Sequence, residues 1–320
     1  MLGSAWILSD GKAGHEAQSL GIAEALGLTP QLKRLEPRRL FAALAPYTLI
    51  DPHEKQRVAP PYPDIVIACG RRTLPYLRHV KRASAGRAFT VYVNAPAMNS
   101  RTADVIVAPR HDGLRGDNVI APPTPANRLT PALLAHTRAD PDPRIRALPE
   151  PRVALLIGGD SRHYRFSDRD IAELSALARS LAGEGWSVMA TVSRRTPPRL
   201  VAALREALGA VPAFSWEGEG ANPYLSMLAC AQSFIVTADS VNMVAEAAST
   251  GAPVQVFEPS GGHRKITAFL DGLEAYGAVR RWAGRLEHWR YEPLNSTPAI
   301  ATAIAAAYAE FRGKGLDRRE

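Results

Sequence analysis

A hydroxyl, a carboxylate and a second hydroxyl follow the apolar run Phe234-Ile235-Val236 as Thr237-Ala238-Asp239-Ser240, and helical spacing resumes at once through Val241 to Glu246. The chemistry of such a place is that of an anion site. The first amide N–H groups of a helix have no partner within it, and a serine hydroxyl beside them suits a diphosphate. Asp239 or Ser240 equally suits a plain helix cap. Glu246 falls in the second turn, where it either reaches a ribose hydroxyl or faces solvent. Gly251 reads as the helix stop and Pro253-Val254 as the start of the next strand. Two more strand ends carry related groups. Thr191-Val192-Ser193-Arg194-Arg195-Thr196-Pro197 sets hydroxyls and two guanidiniums before a helix, and guanidinium forks bind phosphate bidentately. Leu156-Ile157-Gly158-Gly159-Asp160-Ser161-Arg162-His163-Tyr164 ends a buried-type strand in a Gly-Gly turn, with a helix expected from about Ser167.

Near the chain start, Ser9-Asp10-Gly11-Lys12-Ala13-Gly14-His15 forms a glycine-rich turn after a first strand, leading into Glu16–Leu26 with Ala17, Leu20, Ala23 and Leu26 at helical spacing. Gly11 and Gly14 permit a tight turn, Lys12 offers a positive charge, and His15 or Asp10 is the candidate general base. The P-loop and GxGxxG spacings are both absent. Gly261-Gly262-His263-Arg264-Lys265 opens another helix, as a phosphate-facing loop or as a cap.

These groups need strand ends to hold them. Short apolar runs at 5–9, 64–69, 90–93 and 105–108, then at 153–157, 188–192, 234–237 and 254–257, alternate with helical patterns. That alternation predicts an α/β fold with parallel sheets and crossover helices. Between the two sets, residues 121–151 carry eight prolines, which interrupt any long element and mark a domain boundary. The expected division is an N-terminal Rossmann-like domain over 1–135, a linker over 136–151 and a C-terminal Rossmann-like domain over 152–296. Residues 297–320 are expected as a helix returning to the first domain, with Thr297 and Pro298 starting it and Gly313 and Gly315 stopping it after about Phe311. Two such domains facing across a cleft make a GT-B-like architecture, with ligands at the carboxyl ends of the strands.

The net charge is +8, and residues 1–150 hold 20 Lys+Arg against 13 Asp+Glu while residues 151–320 hold 19 against 18. A basic first half attracts anionic partners. Nucleic acid is not expected, because no recognition motif or aromatic-basic interleaving accompanies the charge. Cys69 and Cys230 lie far apart with no metal-ligand spacing, so neither a disulfide framework nor a metal site is expected, nor a cofactor. No secretory leader or membrane-spanning run is read, so a cytoplasmic protein is expected. Leu32 to Phe41 mixes basic and large apolar residues, as a segment resting on an anionic membrane's inner face does, although Pro37 breaks any long amphipathic helix and a solvated basic loop is the stronger reading.

The run from Thr237 to Val254 resembles the nucleotide-sugar site of GT-B proteins. Taken with Ser9–His15, Gly70-Arg71-Arg72-Thr73, Pro109-Arg110-His111-Asp112, Ile157–Tyr164, Ser193–Pro197 and Asn222-Pro223-Tyr224, it is similar to the "elongated mitochondria" fission-factor family and its bacterial relatives over about residues 5 to 282. The resemblance implies a nucleotide-diphosphate sugar with Ser240 and the Ser193–Thr196 loop on the diphosphate and Glu246 on the ribose. Metal-independent transfer to an anionic or membrane-linked acceptor is the leading expectation. A non-hydrolysing nucleotide-sugar epimerase and a non-catalytic membrane recruitment scaffold are the alternatives. Two departures stand out: Ala229-Cys230-Ala231-Gln232 lacks the acidic residue many GT-B chains carry before this strand, and Val93-Asn94-Ala95-Pro96-Ala97-Met98 is weaker than the polar, arginine-containing loop associated with the family.

Overall fold

Runs such as Ile65-Val66-Ile67-Ala68-Cys69 are apolar at every position, the pattern of a strand covered on both faces, and all five residues are buried. The computed structural model describes residues 3–96, 100–209 and 211–316. Ala97 and Met98 of the departing loop lie outside them. Two units result, one from the residues up to Arg128 together with those from Ser296 onward, the other spanning Leu129–Asn295.

The first unit contains β1 (Ala5–Ser9), α1 (Ala13–Ala25), β2 (Gln31–Arg34), α2 (Arg39–Leu44), β3 (Ile65–Cys69), α3 (Leu74–Ala83), β4 (Phe89–Val93), β5 (Val105–Val107) and β6 (Val119–Ile120). Its parallel sheet has the order β2-β1-β3-β4-β5-β6. The chain steps outward from β1 to β2 and returns on the other side at β3, so the carboxyl ends of β1 and β3 flank a topological switch point. Alternate residues fill two cores: Ile7, Ile67 and Val91 on one face, Leu8, Ala68 and Ile106 on the other.

The second unit contains α4 (Pro131–Ala139), α5 (Pro143–Arg146), β7 (Arg152–Ile157), α6 (Asp168–Gly183), β8 (Ser187–Val192), α7 (Pro198–Leu208), β9 (Ala213–Trp216), α8 (Tyr224–Cys230), β10 (Ser233–Thr237), α9 (Val241–Ala248), β11 (Val254–Phe257), α10 (Arg264–Tyr276) and β12 (Val279–Arg281). Its parallel sheet is ordered β12-β11-β10-β7-β8-β9, with the switch point between β7 and β10. The proline-rich stretch is partly helical. Pro131 and Pro143 each stand at a first helical position, Thr130 and Asp142 cap α4 and α5, and Arg138 Nε donates to Ala229 O of α8 at 2.8 Å.

The last helix, α11 (Thr297–Leu316), packs on the first unit, where Tyr308 and Phe311 meet the Phe89 ring at 5.4 and 5.2 Å between centroids. Thr297 Oγ1 accepts from Asn127 N and donates to Asn127 O, each at 2.9 Å. Against expectation, the glycines do not stop α11, which runs through both. A helical stop needs a positive φ, which Gly313 does not adopt, and a glycine inside a helix costs only about 1 kcal/mol against alanine. Among the described residues no helix is long and apolar enough to cross a membrane.

Candidate functional site

At the first unit's switch point, β1 ends at Ser9 and α1 begins at Ala13, placing Gly14 and His15 in the first helical turn. Asp10, its side chain 3% exposed, lies 2.8 Å from His15 Nδ1 through Oδ1 and 3.4 Å from Lys12 Nζ through Oδ2. Burial raises its pKa. The bond to His15 and the charges of His15 and Lys12 together outweigh that, holding the carboxyl at about 2. An ionised Asp10 accepts the Nδ1 proton and leaves Nε2 as the basic nitrogen of the imidazole. Ser9 Oγ donates to Glu16 Oε1 and accepts from Gly11 N, and Glu16 is held in turn by a two-pronged contact from Arg34. Gly70, at the end of β3, has φ +95°, and a Cβ there would sit 2.7 Å from Asp10 Oδ2 and 2.8 Å from His15 Nδ1. Only glycine lets this strand end pass so close to the pair. Asn94, with φ +77°, donates from Nδ2 to Cys69 Sγ at 3.2 Å, and burial followed by the charge of Asp10 pushes the Cys69 thiol up.

At the second unit's switch point three loops are tied together by Asp239. Its carboxyl, with no exposed surface, accepts from Gly159 N at 2.8 Å, from Thr237 Oγ1 at 2.8 Å and from Arg195 Nη2 at 3.2 Å. Arg195 Nη1 also donates to Asp160 O at 3.1 Å. Burial pushes the Asp239 pKa up, against the pull of Gly159, Thr237 and Arg195. Thr237 Oγ1 accepts from Gly158 N at 2.7 Å, and Thr196 Oγ1 accepts from Ser193 N at 2.9 Å while donating to Gly158 O. Both glycines are needed by contact distance. A Cβ on Gly158 would lie 2.2 Å from Asp239 Oδ2, and one on Gly159 would lie 2.1 Å from the Arg195 carbonyl carbon.

This arrangement sorts the residues named from sequence. Thr196, Thr237 and Asp239 each bond the Gly158-Gly159 turn and so hold the loops. Ser193 shares that turn, its Oγ accepting from Arg195 N at 3.2 Å. Arg194 is exposed. Neither Asp239 nor Ser240 caps α9: Ser240 takes the N-cap position without a side-chain cap bond, and Asp239 is drawn under Gly159 and Arg195. Gly251 has φ +85°, as a helix stop requires.

Glu246 does not face open solvent. It is partly buried and accepts from Tyr224 Oη at 2.6 Å. Burial drives its pKa up to about 7, opposed by the Tyr224 bond, and Tyr224 is itself raised well above the usual phenol value. Tyr224 was visible in sequence only as part of Asn222-Pro223-Tyr224. Tyr164 closes the run that follows β7, and its hydroxyl is buried and has no hydrogen-bond partner among the described residues. The Gly261–Lys265 loop takes the capping role, His263 Nδ1 accepting from Lys265 N at 3.3 Å before α10.

The model of a family described as Mitochondrial fission ELM1 matches residues 13–308, from the first turn of α1 through the second unit into α11. The chain belongs to the mitochondrial fission ELM1 family. A member, Mitochondrial fission protein ELM1 of Arabidopsis thaliana, is 30% identical over 269 residues, covering 76% of this chain and 63% of the plant protein. The match thus spans less than two thirds of that relative's length. Among solved structures, UDP-GlcNAc 2-epimerase from Neisseria meningitidis bound to UDP-GlcNAc superposes with a TM-score of 0.54 at 13% identity, covering 96% of this chain and 99% of the epimerase. The glycotransferase of kitacinnamycin superposes with a TM-score of 0.53 at 14% identity, covering 98% and 96%. At these identities the likeness is one of fold, and it places this family member in the GT-B-like class that holds both epimerases and glycosyltransferases.

Proposed function

We propose that the chain binds a nucleoside-diphosphate sugar on the second unit and transfers the sugar to an anionic or membrane-linked acceptor. The observation that carries this reading is the start of α9. Ser240 at its N-cap makes no side-chain cap bond and stands beside the first amides, and Glu246, held by Tyr224 of α8, lies further along α9. Helix N-termini at a switch point favour phosphate, and a carboxyl held by a tyrosine suits a ribose diol. In the reaction, the acceptor oxygen attacks the anomeric carbon, the bond from that carbon to the diphosphate oxygen breaks, and the leaving charge falls on the α9 amides and Arg194. The acceptor proton passes to His15 Nε2, and Asp10 stabilises the imidazolium that forms. The basic surplus of residues 1–150 favours a negatively charged acceptor.

Binding and chemistry are tested together. Uridine diphosphate or another nucleoside diphosphate should raise the melting temperature, and Arg194→Ala or Ser240→Ala should weaken that binding by about 1.5–3 kcal/mol with the fold intact. Equal affinity in wild type and both variants would reduce α9 to a plain helix start. Product analysis with nucleotide sugars then separates the chemistries. Transfer to an added acceptor supports the proposal, conversion of the nucleotide sugar alone points to an epimerase, and neither binding nor turnover points to a scaffold.

A further inference from the structure

The described residues expose five large apolar side chains conspicuously, and four of them fall within ten positions: Leu40 at 65%, Leu44 at 54%, Tyr47 at 71% and Leu49 at 70%. Exposed leucines scattered singly need no explanation, but a cluster does. Leu40 and Leu44 stand one turn apart on α2, and Tyr47 N donates to Leu44 O at 3.0 Å, carrying the chain directly on from the helix. The segment is held in place from the protein side. Arg71 donates to the carbonyls of Ala42 and Ala43 at 3.1 Å each and to Ala45 O, and Arg78 Nη2 donates to Pro46 O at 2.6 Å and Thr48 O at 3.0 Å. With those carbonyls bound to guanidiniums and Ala42 and Ala45 buried, the large side chains are the ones left outside.

Within the segment itself the charge has one sign. From Pro37 to Ile50 the chain holds Arg38 and Arg39 and no acidic residue. The next acid, Asp51, is fully buried beneath Arg38, accepting from its Nε and Nη2 at 3.0 and 2.8 Å. Arg39 is exposed at the start of α2. Leucines, a tyrosine and flanking guanidiniums on a fixed loop match the layered chemistry of a bilayer surface: acyl chains for the leucines, the interface for the tyrosine, lipid phosphates for the arginines. We infer that this loop seats the first unit on an anionic lipid bilayer. The element inserts as a loop, since α2 has only six residues and cannot lie flat as an amphipathic helix. The inference stands apart from the donor site on the second unit.

The test is flotation of the whole protein with vesicles of phosphatidylcholine mixed with phosphatidylglycerol, against vesicles of phosphatidylcholine alone. The wild type should float with the mixed vesicles, and less so as salt is raised. Leu40→Ser, Leu44→Ser and Leu49→Ser combined should weaken that partitioning by about tenfold or more, and Arg39→Glu by roughly fivefold or more. A second readout does not depend on the triple variant folding. A polarity-sensitive dye on Tyr47→Cys, specific because Cys69 and Cys230 are buried, should shift to the blue with mixed vesicles. Absence of flotation, equal flotation of the triple variant, or a dye that does not respond overturns the inference. So does a wild-type dimer that the leucine substitutions disperse without any vesicle binding, which would make the patch a contact between two copies.

Discussion

Asp10 and Asp239 sit in matching places, each within two residues of a strand end at a switch point and each with almost no exposed side-chain surface, yet their ionisation is shifted in opposite directions. Asp10 is held at about 2 by an imidazole and an ammonium, while Asp239 is raised by burial that an arginine and two neutral donors do not offset. On the proposed reaction, the difference lies in what each carboxylate is for. Asp10 bonds one nitrogen of an imidazole that is itself partly exposed, so its charge is transmitted to a group that meets solvent. Asp239 has its partners on three neighbouring loops, and its work is to keep those loops in place. Burial alone does not distinguish an orienting carboxylate from a structural one, and the partners do.

The largest expected effect tests the Asp10 half of this contrast. On the proposed reaction, His15→Ala and Asp10→Asn should each lower kcat by about 10²–10⁴-fold while the melting temperature changes little, the range for loss of a positioned base. Turnover near that of wild type in both variants would leave the pair a structural contact like that of Asp239.

The glycines beneath the two aspartates sharpen the contrast in stability. Gly159→Ala sets a Cβ against the Arg195 backbone and should cost about 3 kcal/mol or more in urea unfolding. The atoms nearest a Cβ on Gly70 belong to the Asp10 and His15 side chains rather than to backbone, and the positive φ adds strain, so about 1–3 kcal/mol is expected for Gly70→Ala. If Gly70→Ala proves the costlier, the first switch point is the more rigid of the two.

A smaller effect is expected at Glu246. Its folded pKa of about 7 lies above the value of 4.5 for an unperturbed glutamate, so its stabilising contribution is full below about pH 4.5 and is lost as pH rises to about 7. Glu246→Gln should therefore stabilise the protein at pH 8 by on the order of 2 kcal/mol and flatten the dependence between those limits. Asp10 has the opposite slope: its contribution holds above about pH 4 and is lost as pH falls towards 2. Unfolding curves at pH 5 and pH 8 decide the Glu246 expectation, which fails if the variant gains nothing at pH 8.

The amino-acid order by itself specified the eight central strands, because strands covered on both faces must be apolar throughout and such runs are conspicuous. It also marked the loops that follow them and the resemblance that places the chain in its family. The four strands it did not reveal, β2, β6, β9 and β12, are the four sheet edges, where one side is unpaired and mixed sequences such as Gln31-Leu32-Lys33-Arg34 are tolerated. The site divides the same way. Residue types and strand-end positions named Asp10, His15, Asp239, Ser240 and Glu246. Which of them pair was decided by tertiary structure, since Asp239 is drawn off its helix by Gly159 and Arg195, 80 and 44 positions away, and Glu246 is covered by Tyr224, 22 positions away. Proximity across parallel strands is a property of sheet order, and nothing in a linear spacing encodes it.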